Sequence, residues 1–407
     1  MEKFDWKTTI KINILFLRIV GLWPKGDETY KLDPYTFYAG VALMLFLCGH
    51  NFFQTFNIFF ILDDLEAFTA AIFVTVTCLA AILKSYSLIQ HMGTLKQLLN
   101  AINSDMFQPR NTKQRMLIEP SLNFWKMIYS LFGTMALGTL FFWTTYPILD
   151  NSVKKRRLPF LAWYPWHTTI SPLYEITYIY QIASVWFIAA ININTDTLIA
   201  ALNMYTGAQC DILCDNLRNL HNSIKNDEND IDKKLLNCIE HHKAIVRYKN
   251  IFPHGNNVYK IKKNFSFAEN SNKFFNWIVL MQFFTCAVSI GLTMFQLTIV
   301  VPLSSEFYSF IFYGNSMTVQ IFAYCWFGNE VEIKLQSSNI PYAIFESNWI
   351  EAPLQMQKKI IFFTLRTQKP IKLSALNLFY LSLETFKTII RTAWSYFAVL
   401  HQVNAQN

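Results

Sequence analysis

The sequence predicts an all-α, polytopic membrane protein with seven membrane-crossing helices. Of its 407 residues, 53% are hydrophobic and only 15% are charged, whereas a typical soluble domain has about 25% charged residues. Seven apolar stretches are long enough to cross the hydrocarbon of a bilayer, about 30 Å thick, which takes roughly 20 helical residues. Basic residues gather in alternate connections between these stretches, which is typical of membrane topology.

The seven predicted spans differ in how apolar they are. The first, third and fifth contain long apolar runs, whereas the fourth contains Glu175 and Asp196, and the seventh contains Glu384, Lys387 and Arg391. Charges within a span are costly and usually face protein or water. The predicted spans cover residues 36–60, 67–90, 126–149, 173–201, 274–301, 307–328 and 376–402.

The Lys and Arg residues predict the orientation. The chain has 35 of them. On one side of the membrane, the N-terminal segment and the connections between spans two and three, four and five, and six and seven hold 27. The connections on the other side hold four, and the remaining four lie within spans. Because cytosolic connections are enriched in Lys and Arg, the N-terminus is predicted to be cytosolic and the C-terminus extracellular. This orientation is the reverse of that of a G-protein-coupled receptor.

The first predicted domain, residues 1–34, is a cytosolic segment with an interfacial helix. Ile10, Ile14, Leu17 and Val20 recur there at helical spacing, as expected for a helix that lies at the inner membrane surface.

The remaining predicted domains follow from the spans. Residues 35–328 hold the first six spans and a long cytosolic connection, 205–273, with helices predicted at 206–221 and 231–249. Residues 329–372 are predicted to form a cytosolic helical anchor that packs several chains against each other. Residues 373–407 hold the seventh helix and an extracellular tail.

No motif for catalysis or cofactor binding is visible. The chain lacks a P-loop, a dinucleotide-binding fingerprint and an HExxH sequence, so neither an enzyme activity nor a cofactor is predicted. The seven cysteines do not have the spacing of a disulfide framework or a zinc site. His241 and His242 point about 100° apart on a predicted helix, so no metal site is expected. Nucleic-acid binding is not predicted either, because the net charge of +8 follows the topology.

A series of motifs runs through the C-terminal third of the chain. It comprises Ser337, Ala343, Trp349, Pro353, Lys358-Lys359, Arg366, Gln368-Lys369-Pro370, Leu381-Ser382-Leu383-Glu384-Thr385-Phe386 and Ser395-Tyr396-Phe397-Ala398-Val399-Leu400. This series resembles the insect odorant receptor family, and the closing Ser-Tyr-Phe-x-x-Leu is its most specific part. The N-terminal segment from Leu17 to Pro24 is also similar to that family. The resemblance in overall plan covers the whole chain. The predicted orientation, with the N-terminus in the cytosol, agrees with that family independently.

The resemblance implies an odorant-gated, cation-conducting channel of four subunits around one pore. It implies a variable, ligand-recognising subunit that works with a shared co-receptor in a heterotetramer, with a homotetramer as the alternative. It also implies the plasma membrane of a sensory neuron dendrite. The co-receptor has a much longer fourth connection than the 69 residues here, so the chain does not resemble the co-receptor itself.

One stretch departs from the family pattern. Members usually run from the cytosolic helix directly into a phrase similar to Phe267-Ala268-Glu269-Asn270, whereas residues 253–266 intervene here. The stretch is polar and basic and lacks helical periodicity. It is either a loop insertion or translated sequence that a mature transcript would lack.

The expected ligand site follows from the chemistry of odorants, which are small and volatile and have few polar atoms. Such a ligand requires an apolar, aromatic-lined cavity with one or two orienting polar groups. The resemblance implies that the cavity lies in the outer half of the bundle, among the second, third, fourth and sixth spans. Ordinary helix packing is the alternative for each candidate. The candidates are Phe73, Thr77, Ala136, Thr139, Trp143, Tyr178, Ile182, Tyr308, Phe312, Tyr313 and Ser316.

The candidate gate lies near the end of the seventh span. Val399 and Val403 are one helical turn apart, with Gln402 beside them. Four copies of a Val around one axis would form a narrow apolar ring, which stops ions by dewetting. The resemblance matches Val399 to the gate position and Val403 to the next constriction. Packing against lipid or the core is the alternative.

Two other classes of membrane protein are alternatives. A gustatory-type receptor channel shares the topology and would bind more polar ligands, but the Ser-Tyr-Phe ending favours the odorant family. A secondary transporter would have inverted repeats and broken helices near the midplane, and the sequence shows neither.

Overall fold

The chain folds almost entirely into helices in this computed structural model. The structure describes residues 3–26, 30–150, 152–220, 228–246, 267–335, 339–367, 373–376 and 378–406. The helices are α1 (Lys11–Ile19), α2 (Pro34–Ala42), a π-helical stretch (Leu43–Gly49), α3 (His50–Ile58), α4 (Leu65–Ile102), α5 (Thr112–Leu149), α6 (Leu173–Arg218), α7 (Glu228–Ile245), α8 (Phe267–Ile299), α9 (Ser305–Leu335), α10 (Asn339–Phe345), α11 (Leu354–Thr367) and α12 (Leu383–Gln406). Short 3-10 turns lie at Trp6–Thr8, Asp105–Phe107, Ser152–Lys155 and Trp349–Glu351, and an antiparallel hairpin pairs β1 (Ser374–Ala375) with β2 (Phe379–Tyr380). The stretch 253–266 lies outside the described residues.

Each of the seven predicted spans contains a membrane-length helix or helical run, which confirms the all-α polytopic fold class. The first span is the continuous run from α2 through α3, and the other six are α4, α5, α6, α8, α9 and α12. By length and composition, five helices in the described part of the chain can cross a membrane, and they contain the first five spans. The other two, α9 with 31 residues and α12 with 24, are long enough but more polar.

Side-chain caps explain where the first spans begin. Asp33 accepts a hydrogen bond from the backbone N–H of Thr36 at 2.7 Å, and Pro34 occupies the first helical turn of α2. Both features favour a helix start, because they satisfy or remove backbone donors that lack intrahelical partners. Asp64 caps α4 and Asn111 caps α5 in the same way.

Two helices differ from the sequence prediction at the membrane boundaries. The helix predicted at 206–221 is the last part of α6, which continues unbroken to Arg218. The seventh span begins at Leu383 instead of residue 376, because residues 374–380 form the hairpin. Leu376 at the hairpin turn has a φ of 51°, in the left-handed region that cannot continue an α-helix.

The N-terminal segment packs along α6. The Asn13 side-chain N–H donates to Thr197 Oγ1 at 2.6 Å, and the Tyr205 hydroxyl donates to the Trp6 carbonyl at 2.8 Å. Of the four apolar residues predicted at helical spacing in this segment, Ile10, Leu17 and Val20 are buried. The opposite face of α1 is exposed and also apolar, comprising Ile12, Leu15, Phe16 and Ile19.

Two glycines allow the C-terminal segment to pack closely on the bundle. A Cβ atom on Gly291 of α8 would lie 2.8 Å from the Ala393 carbonyl of α12, and one on Gly328 of α9 would overlap Leu381. Neither position has room for a larger side chain. Ile389 and Ala393 are buried in this contact, whereas most other residues of α12 are exposed or half-buried.

Polar contacts join the helices outside the spans. The Lys359 ammonium of α11 lies 2.7 Å from the Asp232 carboxylate of α7, and Arg218 at the end of α6 pairs with Glu346. Lys334 of α9 lies 2.8 Å from Asp211 of α6.

The adjacent histidines of α7 are buried against different neighbours. His241 Nε2 lies 3.0 Å from Gln209 Oε1, which only accepts hydrogen bonds, so His241 donates. The His242 ring packs edge-on against Phe363, with ring centroids 5.3 Å apart. Burial lowers the pKa of His241 to about 3 and the pKa of His242 to about 4. Both rings are therefore neutral at physiological pH and contribute to packing.

Candidate ligand-binding site

A cavity of about 70 Å³ lies inside the helix bundle, between α4, α5, α6 and α9. Its walls are mainly aliphatic and aromatic, with a few hydroxyl and amide groups. This composition suits a small ligand with few polar atoms. The lining residues are Val74, Thr77, Cys78, Phe132, Ala136, Thr139, Leu140, Trp143, Val185, Ile188, Ala189, Asn192, Ile193, Tyr313, Ser316, Met317 and Gln320.

Six of the eleven residues predicted to bind odorant lie around this one cavity. They come from the second, third and sixth spans, whereas the fourth span contributes residues other than those predicted. The six are Thr77, Ala136, Thr139, Trp143, Tyr313 and Ser316.

Two other candidates lie next to the lining. The Phe73 ring packs behind the cavity wall, with its centroid 5.0 Å from that of Tyr313 and 6.1 Å from that of Trp143. The Tyr178 hydroxyl donates to the Thr144 carbonyl at 2.8 Å and so joins α6 to α5. Phe73 therefore supports the aromatic wall, and Tyr178 supports the helix contact.

The remaining three candidates are also outside the lining. Ile182 is half-buried, one turn before the first lining residue of α6. Tyr308 and Phe312 stack on the Phe142 ring, with centroids 5.7 and 5.6 Å away. Phe312 also occupies the space above Gly138, where a Cβ atom would overlap its ring. These two rings join α9 to α5.

The connection between α5 and α6 covers one end of the cavity. Gln181 of α6 accepts a hydrogen bond from the backbone N–H of Phe160 and donates to its carbonyl, both at 3.0 Å. The Phe160 ring then packs edge-on against Trp143, with centroids 5.3 Å apart. The first α6 residue that lines the cavity is Val185, one turn after Gln181.

A buried ion pair lies at the opposite end of the cavity. The Lys84 ammonium of α4 lies 2.8 Å from the Asp196 carboxylate of α6, and both side chains are almost fully buried. Lys84 also donates to Asn192 Oδ1 at 2.8 Å. The Tyr324 hydroxyl donates to Asp196 at 2.7 Å, and the Gln320 side-chain N–H donates to the same carboxylate. Asn192 and Gln320 therefore belong to both the cavity wall and the charged network.

Sequence reasoning missed this polar end. Lys84 and Asp196 were visible as charges within two separate spans, and Asn192 as a polar residue in the fourth. The sequence did offer one signal, because charged residues buried within spans need partners. It does not show, however, which helices are neighbours.

The candidate gate residues are exposed. Val399 is 60% exposed and Val403 is 42% exposed, and Gln402 is exposed as well. On the same helix, the Lys387 ammonium lies 3.7 Å from the Glu384 carboxylate, and both are well exposed. In a single copy of the chain, one long side of α12 is therefore not covered by other helices.

A second, larger cleft of about 700 Å³ lies between the N-terminal segment and α5. Lys3, Arg115 and Lys126 line it together with Asp5 and Glu119. This mixture of charges does not suit an apolar volatile ligand.

A bundle of membrane-crossing helices with an apolar cavity among four of them is the architecture of a polytopic membrane protein that can hold a small ligand. Comparison with known proteins gives the family. The profile of the 7tm Odorant receptor family matches residues 64–394. The chain belongs to this family, and it functions as an odorant receptor.

Relatives of similar length support this assignment. Odorant receptor Or1 of Anopheles gambiae is 24% identical, with 100% of this chain and 98% of the relative covered. Odorant receptor 46a, isoform A, of Drosophila melanogaster is 20% identical, with 96% of each chain covered. The solved structure of the insect olfactory receptor OR5 from Machilis hrabei in complex with eugenol has the same fold. Its TM-score is 0.77 at 18% identity, covering 98% of this chain and 100% of that one.

Proposed function

We propose that this chain is the ligand-recognising subunit of an odorant-gated cation channel, and that odorants bind in the cavity between α4, α5, α6 and α9. The cavity itself carries the proposal: most of its lining residues are buried, and the lining is mainly apolar, with aromatic rings and few polar groups. A solved relative of the same fold, the OR5 receptor, was determined in complex with eugenol, a small molecule.

The membrane orientation is part of the proposal. The N-terminus lies in the cytosol and the C-terminus outside, because 27 of the 35 Lys and Arg residues fall on one side. The covered end of the cavity is then the outer end. By family membership the protein resides in the plasma membrane of a sensory neuron dendrite.

The pore is formed by α12 from several subunits. Its uncovered side, which includes Val399 and Val403, requires a partner or water. A ring of Val399 side chains closes the pore by excluding water. Ligand binding opens it only through a difference in affinity between the closed and open states, on the order of 1–3 kcal/mol for typical coupling.

Assembly depends on α10, α11 and the turn that precedes α11. Large apolar side chains are exposed there although the region lies outside the predicted spans, which indicates a surface for another subunit. The partner is a shared co-receptor in a heterotetramer, with a homotetramer as the alternative. The exposed residues include Tyr342, Phe345, Ile350, Leu354, Ile361, Phe362 and Leu365.

Expression with and without a co-receptor, with ion currents recorded against an odorant panel, tests this function. We expect ligand-dependent cation currents when the co-receptor is present. Absence of current for every odorant, at normal surface levels of both chains, would contradict the proposal. Current from this chain alone would identify the homotetramer.

A further inference from the structure

We propose that Asn192 makes the cavity selective for neutral ligands that carry a hydrogen-bond-accepting oxygen, such as a ketone, ester or ether. The inference rests on the proposed function, because it assumes that the activating ligand binds in this cavity. It extends that function by assigning the chemical class of the ligand and the residue that recognises it.

The Lys84 ammonium fixes the orientation of the Asn192 amide. An ammonium only donates hydrogen bonds, so the atom of Asn192 that lies 2.8 Å from it must be the carbonyl oxygen Oδ1. The Nδ2 amino group then points away from Lys84. Asn192 is only 7% exposed and lines the cavity. Within the described part of the chain, Nδ2 has no hydrogen-bond partner, so a ligand oxygen can accept from it.

Three hydroxyl groups of the lining are engaged in hydrogen bonds within the protein. Thr139 donates to the Met135 carbonyl at 3.0 Å, and Thr77 donates to the Phe73 carbonyl at 2.9 Å. Thr77 and Tyr313 lie 2.7 Å apart. Either hydroxyl can be the donor in that contact. Thr139 therefore does not donate to a ligand, and at most one proton of the Thr77–Tyr313 pair is available to one.

The other polar lining groups offer few acceptors to a ligand. Gln320 donates one amide N–H to Asp196, and its carbonyl oxygen accepts from Gln282 at 2.9 Å, so only its second N–H remains for a ligand. Ser316 can donate or accept, so it does not select for either kind of ligand. Trp143 has an indole N–H, which only donates. The groups still able to bond a ligand thus favour an accepting oxygen.

The charges next to the cavity favour a neutral ligand. Lys84 and Asp196 neutralise each other across 2.8 Å, and the lining itself contains no charged residue. A carboxylate or an ammonium in the cavity would lose its hydration without gaining a counter-ion, which is costly.

Matched ligand series test the inference on the full chain expressed with the co-receptor. Each series shares one skeleton, for example ethylbenzene, acetophenone and benzoate, and several skeletons of different size are used. We expect each neutral ketone or ester to activate at a concentration about tenfold lower than the hydrocarbon of the same shape, as for one added hydrogen bond. The carboxylates should be inactive.

Substitutions at one position then assign the preference to Asn192. Asn192→Leu keeps a similar volume but removes the donor, so ketones should lose about tenfold in potency while hydrocarbons change by less than about twofold. Asn192→Ala also removes the donor without adding a charge, so it should show the same difference between ketones and hydrocarbons if the leucine variant does not reach the surface. The control Ile188→Val changes the cavity shape without changing its polarity, and it should affect both ligand classes alike.

Two results would overturn the inference while leaving the proposed function intact. One is equal potency of hydrocarbon and ketone in the unmodified receptor. The other is a loss in both Asn192 variants that is the same for both ligand classes. If no compound of any series opens the channel, the proposed function fails, and this inference fails with it.

Discussion

At the scale of single residues, the ion pair between Lys84 and Asp196 is the most demanding feature of the bundle. Two charges are removed from water inside membrane-crossing helices, which is costly unless each charge finds partners. Here Asn192, Tyr324 and Gln320 supply them. The network crosses three helices, α4, α6 and α9, and so specifies how they pack together.

Loss of one partner of this pair should destabilise the protein strongly. We expect Lys84→Met to reduce the free energy of unfolding by about 3–5 kcal/mol, because it leaves the Asp196 carboxylate buried without its counter-ion. Thermal unfolding of the detergent-solubilised protein measures this effect.

The double variant Lys84→Met with Asp196→Leu is the matched control. It removes both charges, so we expect it to regain most of the lost stability. If the double variant were as unstable as Lys84→Met, pairing of the two charges would not explain the cost.

The aromatic wall should determine which ligands activate the receptor. Trp143 and Tyr313 both line the cavity, with ring centroids 5.2 Å apart. Replacing either by Ala should change the rank order of agonists more than it changes the surface level. Dose–response curves for an agonist panel, compared with surface staining, measure both quantities. A loss that is equal for every ligand and follows expression would indicate a packing role instead.

The sequence predicted the aromatic part of the site better than its polar part. Trp143 and Tyr313 could be chosen because large rings in apolar spans suit an odorant. Asn192 was missed because its role depends on contact with Lys84, and Gln320 because its role depends on contact with Asp196. The two residues of each pair are more than 100 positions apart in the chain.

At the scale of elements, α12 differs from the other spans. Gly291 brings it close to α8 on one side, and its opposite side is exposed. Its charged residues explain why it lacks the hydropathy of a simple lipid-facing span. The sequence located this helix but placed its start too early, because the hydrophobic pattern of 376–382 does not reveal the hairpin turn at Leu376.

A polar side chain at the proposed gate should open the pore. We expect Val399→Gln to raise the basal current without odorant, because an amide in the ring favours water in the closed pore. Whole-cell current at matched surface expression measures the effect. In the proposed heterotetramer, fewer of the ring residues would carry the substitution, so the increase in basal current would be smaller than in a homotetramer.

The matched control for the gate is Val41→Gln on α2, where the side chain is 50% exposed, compared with 60% for Val399. Val41 lies in the first span and not in α12. It should leave the basal current unchanged. If Val399→Gln left basal current, ion selectivity and pore block all unaltered, Val399 would be a packing residue and the gate would lie elsewhere.

At the scale of the whole molecule, composition and charge distribution were sufficient to predict the fold class. Seven apolar stretches and their alternating basic connections give the number of spans without any knowledge of helix contacts. The arrangement of those spans was not predictable in this way. Which four helices enclose the cavity depends on packing between residues that are distant in the chain.

Accessible tags test the proposed orientation. A tag fused after Asn407 should be stained on intact cells, whereas a tag at the N-terminus should be stained only after permeabilisation, because cytosolic segments carry most of the Lys and Arg. The reverse pattern would contradict the orientation, and with it the assignment of the covered end of the cavity to the outside.

Filling the cavity tests most directly the central claim that odorants act there. Ala136 lines the cavity and is 8% exposed, whereas its neighbour Leu137 is 50% exposed on the outside of α5. The measurement is the odorant concentration–response of Ala136→Phe against that of Leu137→Phe at matched surface expression. We expect Ala136→Phe to lose response to the larger agonists first and Leu137→Phe to respond as the unmodified receptor does. Unchanged responses in Ala136→Phe for agonists of every size would contradict the claim.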